Sequence, residues 1–212
     1  MAIIPAHTIH PPKQRVPFGA RTTIGGRLTV KGHRGVSGQI VYVLTAPDNH
    51  SFHYSRVATV RTAVSGRWRA TLPAGPSRLI KAVYAGDSTH AYASSRVATA
   101  TVGAKVEVLR LWPRRLPWGK TVHINGWLAG GYLPPPPAGE LVRLRLGYGK
   151  AYTTYGVKTD VSGNGHFKVT YRFGMGRARV VRHYWFEECS LPADDYPYAP
   201  ACSRKITVRV GG

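Results

Sequence analysis

The stretch FEECSLPADDYPYAPACS, Phe186 to Ser203, gathers the side chains of this 212-residue chain best placed to do chemistry. It holds both cysteines, Cys189 and Cys202, and four of the nine acids, Glu187, Glu188, Asp194 and Asp195. Such a set could be a metal site, an active-site loop or a stapled hairpin tip. Calcium needs six to eight oxygens at about 2.3–2.6 Å. Glu187, Glu188, Asp194 and Asp195 are the weak calcium candidates, but their spacing fits no recognised calcium loop. Surface ion pairs with Arg177, Arg179, Arg182 and Arg204 are the expected use of these acids, each contributing about 0–1 kcal/mol. A thiol nucleophile would have to be Cys189 or Cys202, and each has a better use as the other's partner. An even pair flanking a short loop reads as a disulfide. The bridge would close a loop of 13 steps and contribute about 3 kcal/mol through the unfolded chain.

Elsewhere the chemistry thins out. No Gly-x-Ser-x-Gly elbow is present, since GVSGQ at Gly35 to Gln39 lacks the second glycine at the right offset. No glycine loop with lysine is present to cradle a phosphate. A glycosidase needs two acids facing one cleft, and the clustered acids here sit where water would screen them. His50-x-x-His53 has a metal-like spacing without a third ligand nearby. The expectation is a protein without catalytic residues and without a cofactor.

Aromatic residues offer the alternative of ligand binding. Tyr148, Tyr152, Tyr155, Tyr184, Trp185, Tyr196 and Tyr198 crowd the second half. Rings next to arginines can stack on sugars or bases. Tyr196 and Tyr198 sit between prolines and are the expected exposed pair. With Trp185 and Arg182 they make the candidate ligand-binding set. The formal charge is +21, which attracts polyanions. An anionic cell-wall polymer or polysaccharide is the candidate partner, with nucleic acid only as a nonspecific one. The basic residues are spread evenly, which is also what a solvated sheet face looks like.

An internal repeat must position all of these residues. RVPFGARTTIGGRL (Arg15 to Leu28) falls on RLPWGKTVHINGWL (Arg115 to Leu128) one hundred positions later. GQIVYVL matches GELVRLRL, VRTAVSGRWRATL matches VKTDVSGNGHFKVTY, and SRVATATV matches SRKITVRV. Two tandem domains follow, 1–103 (ordered from about 12) and 104–212. Matching Tyr84 to Trp185 places about seven extra residues in the loop before Ser203, with the cysteines flanking its tip. Within each half, RWRATL, HFKVTY and LVRLRL alternate apolar and basic residues, the period of half-buried antiparallel strands. Turn signals such as Ser65-Gly66 separate the runs. About seven short strands per half is the pattern of an all-β sandwich.

LPAGPSRLIKAVYAGDSTHAYASSRVATATV resembles the closing strands of bacterial immunoglobulin-like domains, through Leu72 to Gly75, Tyr84, Gly86, Asp87 and Ser94 to Val102. VRTAVSGRWRATLPAGPSR and DYPYAPACSRKITVRV resemble the paired sandwich repeats at the C-terminal ends of large secreted actinobacterial proteins. The resemblance implies two tandem immunoglobulin-like antiparallel β-sandwiches with no catalytic residues, acting as spacers, adhesion units or display surfaces. It also implies an extracellular or cell-surface setting as the C-terminal part of a longer exported protein, because no signal peptide opens this chain. Cys189 and Cys202 depart from the family's pattern.

Overall fold

Alternation in the sequence becomes strand pairing in the computed structural model, which describes residues 6–30, 34–133, 140–158, 163–175, 180–191 and 196–211. The chain divides into two compact units, Met1–Gly103 and Ala104–Gly212. Every regular element among the described residues is a strand, and no helix is long and apolar enough to cross a membrane.

In the first unit, β1 (Ala6–His10), β3 (Thr22–Thr29) and β6 (Arg67–Leu72) form a three-stranded antiparallel sheet. The opposing sheet runs β2 (Lys13–Val16), β9 (Ala98–Val102), β7 (Arg78–Tyr84), β4 (Ile40–Pro47), β5 (Ser55–Arg61), with β8 (Ala93–Ser94) added to β7. The chain crosses from one sheet to the other between β1 and β2, where Pro11 and Pro12 withdraw two backbone donors. Strand β2 then pairs parallel to β9. Trp68, Ala70 and Leu72 point inward from β6 and are buried, while Arg67, Arg69 and Thr71 face water. They meet Ile24 and Leu28 of β3 and Val41, Val43, Ile80 and Ala82 of the opposing sheet in a core at most 5% exposed at each of these positions.

The second unit repeats this order. Strands β10 (Lys105–Trp112), β12 (Thr121–Ala129) and β15 (His166–Arg172) form one sheet. Strands β11 (Arg115–Leu116), β17 (Ile206–Val210), β16 (Arg182–Ser190), β13 (Leu141–Tyr148) and β14 (Ala151–Lys158) form the other. Two facing sheets, antiparallel except for the β2–β9 and β11–β17 pairs, define an immunoglobulin-like β-sandwich in each unit. The Pro134–Pro137 insertion lies outside the described residues.

The repeat extends to single hydrogen bonds. The Leu28 amide donates to the Gly66 carbonyl at 2.9 Å, and the Leu128 amide to the Gly165 carbonyl at 2.8 Å. Gly66 and Gly165 have φ of +75° and +79°, and a side chain at either would strike the Leu28 or Leu128 carbonyl. The Tyr84-Ala85-Gly86-Asp87 turn is likewise structural. Asp87 Oδ1 accepts from the Thr89 amide and hydroxyl and from the His90 amide. These donors hold the Asp87 carboxyl below the usual carboxylate range, and burial, reinforced by Asp87, pushes the Tyr84 phenol up to about 12.

Candidate functional site

The Ser95 and Ser203 hydroxyls fix the register of the last strands and show what the Phe186–Ser203 stretch is. The Ser95 amide donates to the Ala82 carbonyl at 2.9 Å, and the Ala82 amide donates to Ser95 Oγ at 3.0 Å. The Ser203 amide donates to the Glu188 carbonyl at 2.7 Å, and the Glu188 amide donates to Ser203 Oγ at 3.0 Å. Glu188 therefore occupies the position of Ala82, Cys189 that of Val83, and Ser190 that of Tyr84. The ladder agrees, since Val43 faces Ala82 while Leu144 faces Glu188.

This corrects the sequence alignment in two places. Tyr84 corresponds to Ser190, not Trp185, so the segment before Ser203 is two residues longer than in the first repeat rather than seven. The other extra residues fall between β15 and β16: Leu72 to Arg78 spans six steps, and the matching Tyr171 to Tyr184 spans thirteen.

Cys189 and Cys202 are bonded, with sulfurs 2.08 Å apart and Cα atoms 4.0 Å apart. They face each other across an antiparallel bridge. The flanking bonds, from the Ser190 amide to the Ala201 carbonyl and from the Ser203 amide to the Glu188 carbonyl, make them a non-hydrogen-bonded pair, where side chains approach closest. The first repeat has Val83 opposite Ser94 here. The disulfide predicted from the sequence is thus present, and it joins the end of β16 to Cys202 across a single antiparallel bridge. Replacing both cysteines with alanine is expected to lower the stability of the second unit by about 3 kcal/mol while leaving the first unit's melting unchanged. Calorimetry of the full chain reads both.

The ligand set named from the sequence does not assemble. Tyr196 and Tyr198 are buried, 1% and 8% exposed. The Tyr196 hydroxyl donates to the Ala129 carbonyl at 2.9 Å, and the two rings lie 5.0 Å apart against Gly130. The reason is a vacancy in the second core. In the first repeat Tyr84 packs with Leu28, Val36 and Ala93 at this end of the sandwich. Ser190 is too small to fill the matching space, so the Tyr-Pro-Tyr segment folds back to fill it. Burial raises the Tyr196 phenol, with Tyr198 and Glu140 adding to the rise.

Trp185 lies on the outer face of β16, over Gly147, and donates from Nε1 to the Gly149 carbonyl at 3.0 Å. Lys205 Nζ stands 3.9 Å above its ring. Arg182 is three residues earlier and so on the other face, where its guanidinium covers Tyr148 at 5.3 Å. Four residues expected at one site thus occupy three places: the core, an outer sheet face, and the opposite rim.

The calcium set fails for the same reason. Strand β16 continues through Ser190, so Glu187 and Glu188 point to opposite faces. Glu187 faces out and pairs with Arg145 at 3.5 Å. Glu188 faces in, is 0% exposed, and neither carboxylate oxygen meets a donor among the described residues. Burial pushes its carboxyl up to about 8. Asp194 and Asp195, like Arg177 and Arg179, lie outside the described residues. Glu187 also neighbours both sulfurs, but the disulfide removes them as ligands. His50 and His53 fall in the turn between β4 and β5 rather than on a strand.

Sequence reasoning missed the outer face of the β1-β3-β6 sheet. His10, Gly25, Arg27, Arg61, Arg67 and Arg69 line an open groove of about 620 Å³ there. Arg27 faces Arg67 directly across the ladder, and Gly25 faces both His10 and Arg69. Two of the arginines are held by backbone carbonyls. Arg27 Nε donates to Ser65 at 2.8 Å, and Arg61 Nη1 donates to Gly38. The pairing of β3 with β6 could have been inferred from turn spacing, but the evenly spread charge hid the clustering.

No family model matches the chain, and no curated protein matches it. Solved structures do. The chain is similar to the Yersinia pseudotuberculosis adhesin InvE, with 11% identity, a TM-score of 0.43, and 96% of this chain against 58% of that one. It is similar to a D1–D4 ectodomain fragment of ICAM-5, with 12% identity, a TM-score of 0.46, and 97% of this chain against 51% of that one. It is also similar to a tetra-tandem repeat in the extending region of a large adhesion protein, with 10% identity, a TM-score of 0.44, and 99% against 49%. The chain therefore spans between about half and three fifths of these structures.

Proposed function

We propose that this chain is a non-catalytic structural or adhesion module, a spacer or display segment of an exported cell-surface protein. One observation carries the reading: the residues best suited to chemistry are built into the second sandwich. The thiols are bonded to each other, Glu187 is paired with Arg145, Glu188 points into the core, and Tyr196 and Tyr198 plug its end. A disulfide in a tandem sandwich fits an oxidising, extracellular setting. The resemblance of the closing strands to repeats at the C-terminal ends of secreted actinobacterial proteins fits the same placement.

Antibodies raised against the chain test this on intact and lysed source cells. Labelling of intact cells is the expected result. Signal confined to lysates would contradict an exported display segment.

A second reading, a module that binds anionic cell-wall polymer, keeps its basic faces but loses its aromatic loop. The buried Tyr196 and Tyr198 cannot stack on sugar rings, so any such binding falls to exposed arginines and to exposed rings elsewhere, such as Tyr148 and Tyr152.

A further inference from the structure

We propose that the groove on the outer face of the β1-β3-β6 sheet is a binding site for an acidic polysaccharide. The inference rests on the polymer-binding reading and gives it an address.

The groove begins with a missing side chain. Gly25 sits at the centre of the middle strand, with His10 on one neighbouring strand and Arg69 on the other, all in one row. Arg27 and Arg67 form the next row, and Arg61 closes the side from β5. His10, Arg61, Arg67 and Arg69 are exposed and Arg27 is half-buried. Among the described residues, none of these side chains is paired with a carboxylate. The only acids in this unit are Asp48 and Asp87, and Asp87 is engaged by Thr89 and His90.

Like charges directly opposite across a ladder destabilise a sheet. The Arg27–Arg67 pair is therefore unfavourable until an anion lies between them. The carbonyls of Ser65 and Gly38 already orient two guanidiniums, whose remaining donors can fork onto a carboxylate or sulfate.

The second repeat is an internal control. At the matching positions Asn125 replaces Gly25, Trp127 replaces Arg27, and His166 replaces Arg67. Trp127 and His166 stack at 6.3 Å where the first repeat has two arginines. Glu107 also enters that row beside Trp127. In that copy Arg110 and Lys168 flank Asn125 in a groove of about 350 Å³ and Glu107 offsets part of their charge, whereas the first copy gathers four arginines in a groove of about 620 Å³ with no acid in its rows.

A polysaccharide fits better than nucleic acid. Single strands are held by stacking bases on exposed rings, and the one aromatic residue at this groove, Trp68, is 5% exposed. What the surface offers is charge in a concave channel, suited to oxyanions repeated along a chain.

The full-length protein is titrated at about 150 mM salt, where diffuse attraction between charges is screened over about 8 Å. The probes are polygalacturonate, dextran sulfate, neutral dextran and poly(dT). Binding is expected to at least one acidic polysaccharide and not to neutral dextran; the two acidic probes tell carboxylate from sulfate. R67A/R69A should weaken it about tenfold or more, the loss of two charge-assisted contacts. R110A/K168A, which removes two charges from the matching face of the second repeat, should change it less than about twofold on the same scale. R67A should melt no lower than the parent chain, because it relieves the like-charge pair. Equal weakening by both double variants would overturn the site and leave the polymer-binding reading standing. Failure to bind either acidic polysaccharide would overturn both. Tighter binding of poly(dT) with the same residue dependence would replace the polysaccharide with nucleic acid.

Discussion

Replacing Glu188 with methionine is expected to stabilise the second repeat by about 3 kcal/mol at pH 7, and the gain should depend on pH in a set direction. Folding keeps the proton on Glu188 up to about pH 8, whereas the unfolded chain releases it near 4.5. Between those values the unfolded state binds fewer protons than the native state. Stability therefore falls as pH rises, by about 1.4 kcal/mol per unit. Below about pH 4.5 the carboxyl is neutral in both states and the slope vanishes. The Glu188→Met chain should lack this fall, so the difference between the two chains should widen from pH 5 to pH 8. The first repeat argues for the direction, since it places Ala82, 0% exposed, at the matching position with the same serine clamp. Denaturant titrations of both chains at several pH values measure it. A variant less stable than the parent at pH 8 would show that the carboxyl has a partner worth keeping.

Tyr196→Ala should destabilise the second repeat by about 3–5 kcal/mol, the range for emptying a buried aromatic site. This reverses what a loop tyrosine between prolines suggests, namely little change in melting. The side chain is 1% exposed and fills the end of the core that Tyr84 fills in the first repeat. The substitution leaves a cavity and strips the Ala129 carbonyl of its phenol donor. Tyr196→Phe separates the two losses: it should cost only about 1 kcal/mol, the net worth of one hydrogen bond. An alanine variant that melts with the parent would place the ring in water and return it to the ligand-binding candidates.

Both effects come from the segment the sequence describes least well. The strands were legible because alternation is a local signal: RWRATL exposes its arginines and buries Trp68, Ala70 and Leu72, and LVRLRL buries Val142, Leu144 and Leu146 while Arg143 and Arg145 stay half-buried. The repeat was legible because turns such as Ser65-Gly66 recur with their glycines. The alignment failed where the two copies solve one packing problem differently. Tyr84 invited a match to Trp185 because both are aromatic, yet the second copy supplies its aromatic plug from Tyr196 and Tyr198, beyond the strand. Serine was the better anchor, because the Ser95 and Ser203 hydroxyls each bind the facing backbone amide. Counting back from that clamp puts Glu188 inward, in parity with Phe186. The arginine groove was illegible for another reason. Arg27 and Arg67 are forty positions apart and become neighbours only once β3 pairs with β6.

The central claim is that the chain folds as two sandwiches, each around its own core, with the second carrying the disulfide and the buried acid. Calorimetry of the full chain, with and without reductant at pH 6 and pH 8, tests it most directly. Two transitions are predicted: one that moves down with reductant and with rising pH, and one that reductant leaves in place. A single transition that shifts as a whole would contradict the account.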